Sequence, residues 1–300
     1  MSSDYKSSVV RRLTHKGLIR PPGFVEGSTV YETMMGSVAY GVSSDTSDVD
    51  IYGFCMPPKD YVFPHLAGHI PGFSTNVPKF EQYQEHHIKE KDTRKEFDLN
   101  IYSVIKYFSL LMNNNPNMID SIFTAPNMVL TSTKVSDMVR DQRKIFLHKG
   151  AWHKFKGYAY SQMHKMKIKE PDPDSKRFEM VVLHGYDVKF AYHVVRLLDE
   201  VEQILTEGDI DLMRNREQLK SIRRGEWKME DIEGFFARKE KDLESVYSNS
   251  KIPHKPDERR IRQLLIDCLE EYYGDISTAI VKTDDSSEIL RQIKELVKNV

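Results

Sequence analysis

Residues 36–53 read Gly36-Ser37-Val38-Ala39-Tyr40-Gly41-Val42-Ser43-Ser44-Asp45-Thr46-Ser47-Asp48-Val49-Asp50-Ile51-Tyr52-Gly53. They join a β-prone run, Thr29 to Met35, to a second one, Val49 to Met56, so the glycine- and serine-rich middle links two strands. Gly36 has no Cβ and lets the backbone approach an anion closely, and Ser37 supplies a hydroxyl and an amide directly after it. That pairing suits a phosphate. Asp48 and Asp50 are two residues apart, and because strand side chains alternate, both carboxylates point to one face. Two like charges at that spacing call for a cation. Hard divalent ions take oxygen ligands and bridge carboxylates to substrate phosphates. Loops are also made of Asp and Ser clusters, so Asp-x-Asp by itself is a weak signal.

The whole string is more specific than its parts. Gly-Ser, ten intervening residues, Asp-x-Asp inside an apolar strand and a closing Gly53 resemble the signature of the DNA polymerase β-like nucleotidyltransferase superfamily. More narrowly, Gly-Ser-x-x-Tyr-Gly with Ser-Asp-x-Asp-x-x-Gly is similar to the bacterial and phage family of predicted nucleotidyltransferases associated with RNA repair. The resemblance implies that Gly36 and Ser37 hold a nucleoside triphosphate, with Tyr40 in the same motif. It implies that Asp48 and Asp50 hold Mg²⁺, with Mn²⁺ as the alternative. Superfamily sites take a third carboxylate from a neighbouring strand. In the run ending Glu96-Phe97-Asp98-Leu99-Asn100-Ile101, residues 96, 98 and 100 share a face, which makes Asp98 the candidate and Glu96 the reserve. A solvated strand face would look the same. His86 and His87, adjacent on a strand, are expected on opposite faces and so do not suggest a zinc site.

Composition sets the outer bounds. A chain of 300 residues, 39% hydrophobic and 30% charged, can bury a sizeable core, and a net charge of −1 gives no global attraction to nucleic acid. Cys55 and Cys268 match no metal spacing, and no apolar run reaches the roughly 18 residues of a membrane span. A cytoplasmic location is the expectation.

Taken in order, a short basic helix over 8–19 precedes the first strand, and residues 57–80, with five prolines, read as an irregular loop. Ile101, Val104, Ile105, Phe108, Leu111 and Met112 have helical spacing, and Asn113-Asn114-Asn115-Pro116 ends that helix. Helices are expected over 131–148, 150–168 and, after a Pro171–Asp174 turn, from about Phe178 to Leu205. Lys149 to Lys169 holds six lysines and no acid, interleaved with aromatics, which suits an RNA strand or an ordinary solvated helix face. On the long helix Lys189, His193 and Arg196 fall on one stripe, opposite Ala191, Val194, Val195, Leu198, Val201 and Leu205. That stripe is expected to face the nucleotide. A second basic cluster is Arg214, Arg216, Arg223 and Arg224.

The expected fold is α+β: a small mixed β-sheet nucleotidyltransferase core over residues 1–130 with flanking helices, then a helical domain over 131–300. The expected activity moves a nucleoside monophosphate from a triphosphate to an acceptor hydroxyl, with an RNA end as the acceptor. Protein nucleotidylylation and a non-catalytic nucleotide- or RNA-binding relative are the alternatives.

Overall fold

The computed structural model describes residues 8–43, 47–66, 68–70, 79–168, 173 and 176–274. Along the chain the elements are α1 (Val9–His15), α2 (Gly23–Ser28), β1 (Thr29–Met35), α3 (Gly36–Ala39), β2 (Val49–Cys55), α4 (Lys59–Val62), β3 (Gln82–Glu90) and β4 (Lys95–Ser103). There follow α5 (Val104–Met112), α6 (Pro116–Phe123), β5 (Val129–Ser132), α7 (Lys134–Asp141), α8 (Gly150–Ile168) and α9 (Lys176–His184). The chain continues through α10 (Val188–Glu207), α11 (Arg216–Arg223), α12 (Met229–Asn249) and α13 (Glu258–Tyr273). The α+β architecture expected from the order of β-prone and helical segments is the one formed.

The strands make one mixed sheet in the order β3-β4-β2-β1-β5, with β2 and β4 parallel and the other pairs antiparallel. Alternation divides its two faces. Val49, Ile51, Cys55, Phe97, Leu99 and Ile101 pack beneath α1 and α2 with Val10, Leu13 and Val25, while Phe54 and Tyr31 join α5, α6 and the later helices in the larger core. Gly53 lets β2 lie close to β1, since a Cβ there would sit 2.0 Å from the Tyr31 carbonyl oxygen.

Several expected boundaries shift for local reasons. The β-prone run at 86–101 is a hairpin of two strands, and β4 carries on to Ser103, whose hydroxyl accepts from the Lys106 amide and starts α5. The single helix expected from Phe178 to Leu205 is two, because Gly185 adopts φ +79° and Asp187 caps α10 by accepting from the Lys189 and Phe190 amides. The segment 131–148 begins as strand β5, so the boundary expected at residue 130 falls inside a strand of the sheet. The turn at Pro171–Asp174 lies mostly outside the described residues, as do Ser44, Asp45, Thr46 and most of the latter part of 57–80.

α10 is the axis of the helical half. The apolar side expected for it, Ala191, Val194, Val195, Leu198, Val201 and Leu205, is buried against its neighbours, and Tyr192, Leu197 and Ile204 are buried too. Truncating any one of these leucines to alanine would cost about 2–5 kcal/mol. Among the described residues no helix is long and apolar enough to cross a membrane.

Candidate active site

β1 ends at Met35, which pairs with Asp50 on β2, and the chain turns at once into α3 through Gly36. Gly36 has φ +61°, and a Cβ on it would lie 1.9 Å from Asp50 Oδ2. Both the backbone conformation and the close approach of the carboxylate therefore require glycine. Ser37 follows half-buried, and its hydroxyl makes no hydrogen bond to any described residue.

On the other side of β2, Asp50 stands opposite Asp98 in the parallel register. Asp48, Asp50 and Asp98 share the face that looks toward α8 and α10, with Glu96 one step before Asp98. The acids feel one another. Burial pushes the Asp50 carboxyl up to about 6; Lys189 opposes this, and Asp98 and Asp48 reinforce it. Asp48 is raised as well, first by burial and then by Glu96, with Lys189 pulling the other way. Among the described residues no group of three acids, histidines or cysteines stands as a ready-made metal cage. By donor chemistry the three carboxylates fit a hard divalent cation, because oxygen ligands that repel one another are what such an ion neutralises.

β3 contributes a feature that alternation hides. Glu85 pairs with Leu99 and Ile88 with Phe97, so two residues, His86 and His87, oppose the single residue Asp98 in a β-bulge. His87 takes φ +57°. Its amide donates to Asp98 Oδ1 at 2.8 Å and its Nδ1 lies 2.6 Å from Glu96 Oε1. His86 Nδ1 is 3.3 Å from Asp98 Oδ2. The two histidines, expected on opposite faces, are both turned to the acids of β4 by this extra residue. No sequence pattern marks the bulge, since it resides in the register between strands.

The expected basic stripe divides. Lys189 is exposed in the first turn of α10, and its charge reaches both Asp48 and Asp50. His193 stacks edge-on to Tyr40 at 6.5 Å, and burial together with Arg196 and Lys189 holds its imidazole well below the usual range, hence neutral. Arg196, expected to face the nucleotide, is 2% exposed. It pairs with Asp120 on α6 and, at 2.8 Å, with Glu200. Tyr40, expected in the same role, is buried beneath the Arg196 guanidinium at 4.2 Å, and its hydroxyl donates to Asp120 Oδ2 at 2.8 Å. Both residues therefore lie behind the Gly36–Ser37 turn, bracing α3 against α6 and α10. Asp120 and Glu200 are the members of this network that helical spacing did not single out; Glu200 is one turn after Arg196 on α10. The one signal for Asp120 is an acid within the mostly apolar run Met118-Ile119-Asp120-Ser121-Ile122-Phe123.

The basic stretch 149–169 is largely spoken for. Trp152 and Phe155 are core residues, Lys156 pairs with Glu240 and Glu244 of α12, Lys167 pairs with Glu233, and Lys149 is buried over the Tyr247 ring. Of the six lysines of the expected basic wall, Lys149, Lys156 and Lys167 are thus engaged within the fold, while Lys154 and Lys165 are exposed. In the second cluster Arg214, Arg216 and Arg224 pair with Glu207, Glu217 and Glu226, while Arg223 donates to the Val42 carbonyl at 2.6 Å and ties α11 to the segment that follows α3.

The chain is similar to the following known proteins. The model of the RNA repair pathway DNA polymerase β family matches residues 13–267. An uncharacterized 38.9 kDa protein of Enterobacteria phage T4, from the nrdC-mobD intergenic region, is 26% identical over 144 residues, 47% of this chain. The match spans 39% of that protein's length. A solved nucleotidyltransferase-like protein from Exiguobacterium sibiricum 255-15 aligns over 90% of this chain and 75% of its own at 11% identity, with a TM-score of 0.29.

Proposed function

The chain belongs to the RNA repair pathway DNA polymerase β family and is a nucleotidyltransferase, and from that premise we propose that it transfers a nucleoside monophosphate from a triphosphate to a hydroxyl of an RNA end. The observation that supports this best is the convergence at Asp50, with the Gly36–Ser37 turn against it on one side and Asp98 in register with it on the other. The hydroxyl and amide of Ser37 receive the outer phosphates, and Gly36, having no Cβ, lets the turn close against the Asp50 carboxylate. Lys189, reaching in from α10, offsets the charge of the triphosphate and of the acids together. The acceptor oxygen forms a bond to the α-phosphorus, the bridging bond to the β-phosphate breaks, pyrophosphate leaves with that electron pair, and the hydroxyl proton passes to water. When bound, Mg²⁺ or Mn²⁺ on Asp48, Asp50 and Asp98 supplies charge neutralisation at the phosphates and acidifies the attacking hydroxyl.

Incubation of the protein with Mg²⁺, each labelled triphosphate and either total RNA or a protein extract tests the proposal. Label is expected in RNA. Label confined to protein, the enzyme included, would replace RNA transfer by protein nucleotidylylation.

Gly36→Ala is expected to lower kcat/KM for the triphosphate about a hundredfold, because its Cβ must displace either the Asp50 carboxylate or the turn, and small misplacements at a reacting centre cost that much. Steady-state kinetics with varied triphosphate checks it. An unchanged kcat/KM in a folded variant would move the phosphate cradle elsewhere.

A further inference from the structure

Beyond the acids the sheet face changes character. On the same face Asp50 is followed by Tyr52, and Asp98 by Asn100 and Tyr102, with Tyr52 and Asn100 directly opposite in the register. The rings of Tyr52 and Tyr102 lie 6.4 Å apart and tilted by 42°. Both are half-buried, and neither hydroxyl has a hydrogen-bond partner among the described residues. Tyr158 of α8 stands near enough to be felt at Tyr52, so a third aromatic side chain is close to this face. Asn100 adjoins both Tyr52 and Tyr102, opposite the former in the register and two residues before the latter on β4. It is only 6% exposed, yet its side-chain amide makes no hydrogen bond to any described residue. An amide that shares a face with the reacting acids and has no partner among the described residues has its donors and acceptor available to a ligand.

The chemistry of that ligand follows from the groups. Aromatic rings offer a stacking surface to any base, and a carboxamide offers one acceptor and a donor pair that match a base edge. The sheet order says which base. The phosphate turn is on the β1 side of Asp50, whereas Asn100 and Tyr102 are on β4, on the opposite side of β2. In-line displacement sets the attacking oxygen and the leaving pyrophosphate on opposite sides of the phosphorus, so a triphosphate held on the β1 side leaves the β4 side to the acceptor. Beyond β4 the exposed Gln82 and Gln84 of β3, paired with Tyr102 and Asn100, extend the same polar and aromatic strip.

We infer that Tyr52, Asn100 and Tyr102 form a subsite for the terminal nucleobase of the acceptor, so that the hydroxyl that attacks belongs to a strand end whose last base is read by Asn100. The inference rests on the nucleotidyl transfer proposed above, and the test separates the two.

The probes are four ten-nucleotide RNAs identical except for the 3′ base, with the full chain as wild type, Asn100→Asp, Tyr102→Leu and Tyr102→Phe. Binding is read by fluorescence anisotropy without triphosphate, and transfer by label uptake with Mg²⁺ and each triphosphate. Wild type is expected to favour one 3′ base by about tenfold or more, as one well-placed amide can discriminate. Asn100→Asp is expected to erase or redirect that preference while the preference among triphosphates stays. Tyr102→Leu should weaken all four RNAs about tenfold, and Tyr102→Phe, which keeps the ring, should not. Equal affinity of wild type for all four ends would overturn the subsite, as would variants that change the preferred triphosphate and leave the preferred end untouched. Base-dependent binding without any transfer would uphold the subsite and sink the transfer reaction alone.

Discussion

Asp48→Asn combined with Asp50→Asn is expected to abolish nucleotidyl transfer, with kcat falling about a thousandfold or more, while the fold survives. Asparagine keeps the shape of each side chain and removes the charge that a divalent ion and the reacting phosphates need. Stability moves the other way. Burial raises Asp50 from its ordinary range to about 6, so its ionised form is disfavoured in the folded chain. A carboxyl raised in this manner contributes fully only below its unfolded pKa, near 4, and the contribution is lost as pH rises through about 6. In metal-free buffer at pH 7 the double variant should therefore melt no lower than wild type, and above it if the neighbouring acids stay ionised. Below pH 4 that advantage should vanish. Melting curves at pH 4 and pH 7, together with label transfer at saturating triphosphate, check both halves. Transfer retained by the double variant would remove these carboxylates from the chemistry.

Such a site, less stable for the acids it must hold, was legible in the sequence where its parts are local. The Gly36–Ser37 turn, the shared face of Asp48 and Asp50, and the phase of Glu96, Asp98 and Asn100 all follow from the two-residue strand period and from the turn between two apolar runs. What stayed hidden depends on pairing between elements. The bulge at His86 and His87 is set by how β3 slides on β4, and nothing in Glu85-His86-His87-Ile88 announces it. Helical spacing placed Lys189, His193 and Arg196 on one side of α10. It did not say that this side runs from an exposed first turn into a buried middle, where Asp120 of α6 is waiting. Likewise Trp152 and Phe155 look the same to a count of lysines and aromatics whether they meet RNA or the core.

The buried network also makes the largest stability prediction. Arg196 meets Asp120, Glu200 and the face of the Tyr40 ring, so one guanidinium serves two carboxylates in a space closed to water. Burial pushes both acids up against the pull of Arg196, and Asp120 Oδ1 and the Arg196 Nε have no hydrogen-bond partner among the described residues. Removing the arginine alone leaves two acids buried without their counter-charge, which costs about 3–5 kcal/mol. Arg196→Leu is therefore expected to lower Tm by roughly 10 °C. Arg196→Lys should recover only part, because an ammonium keeps the charge but cannot reproduce the stacking of the planar guanidinium on the Tyr40 ring. A triple variant, Arg196→Leu with Asp120→Leu and Glu200→Leu, should regain most of the loss, since apolar replacement of a whole buried ion network is often close to neutral. Thermal unfolding of the four proteins measures this directly. An Arg196→Leu variant with an unchanged Tm and a raised KM for triphosphate would return Arg196 to the nucleotide, where the helical stripe alone would place it.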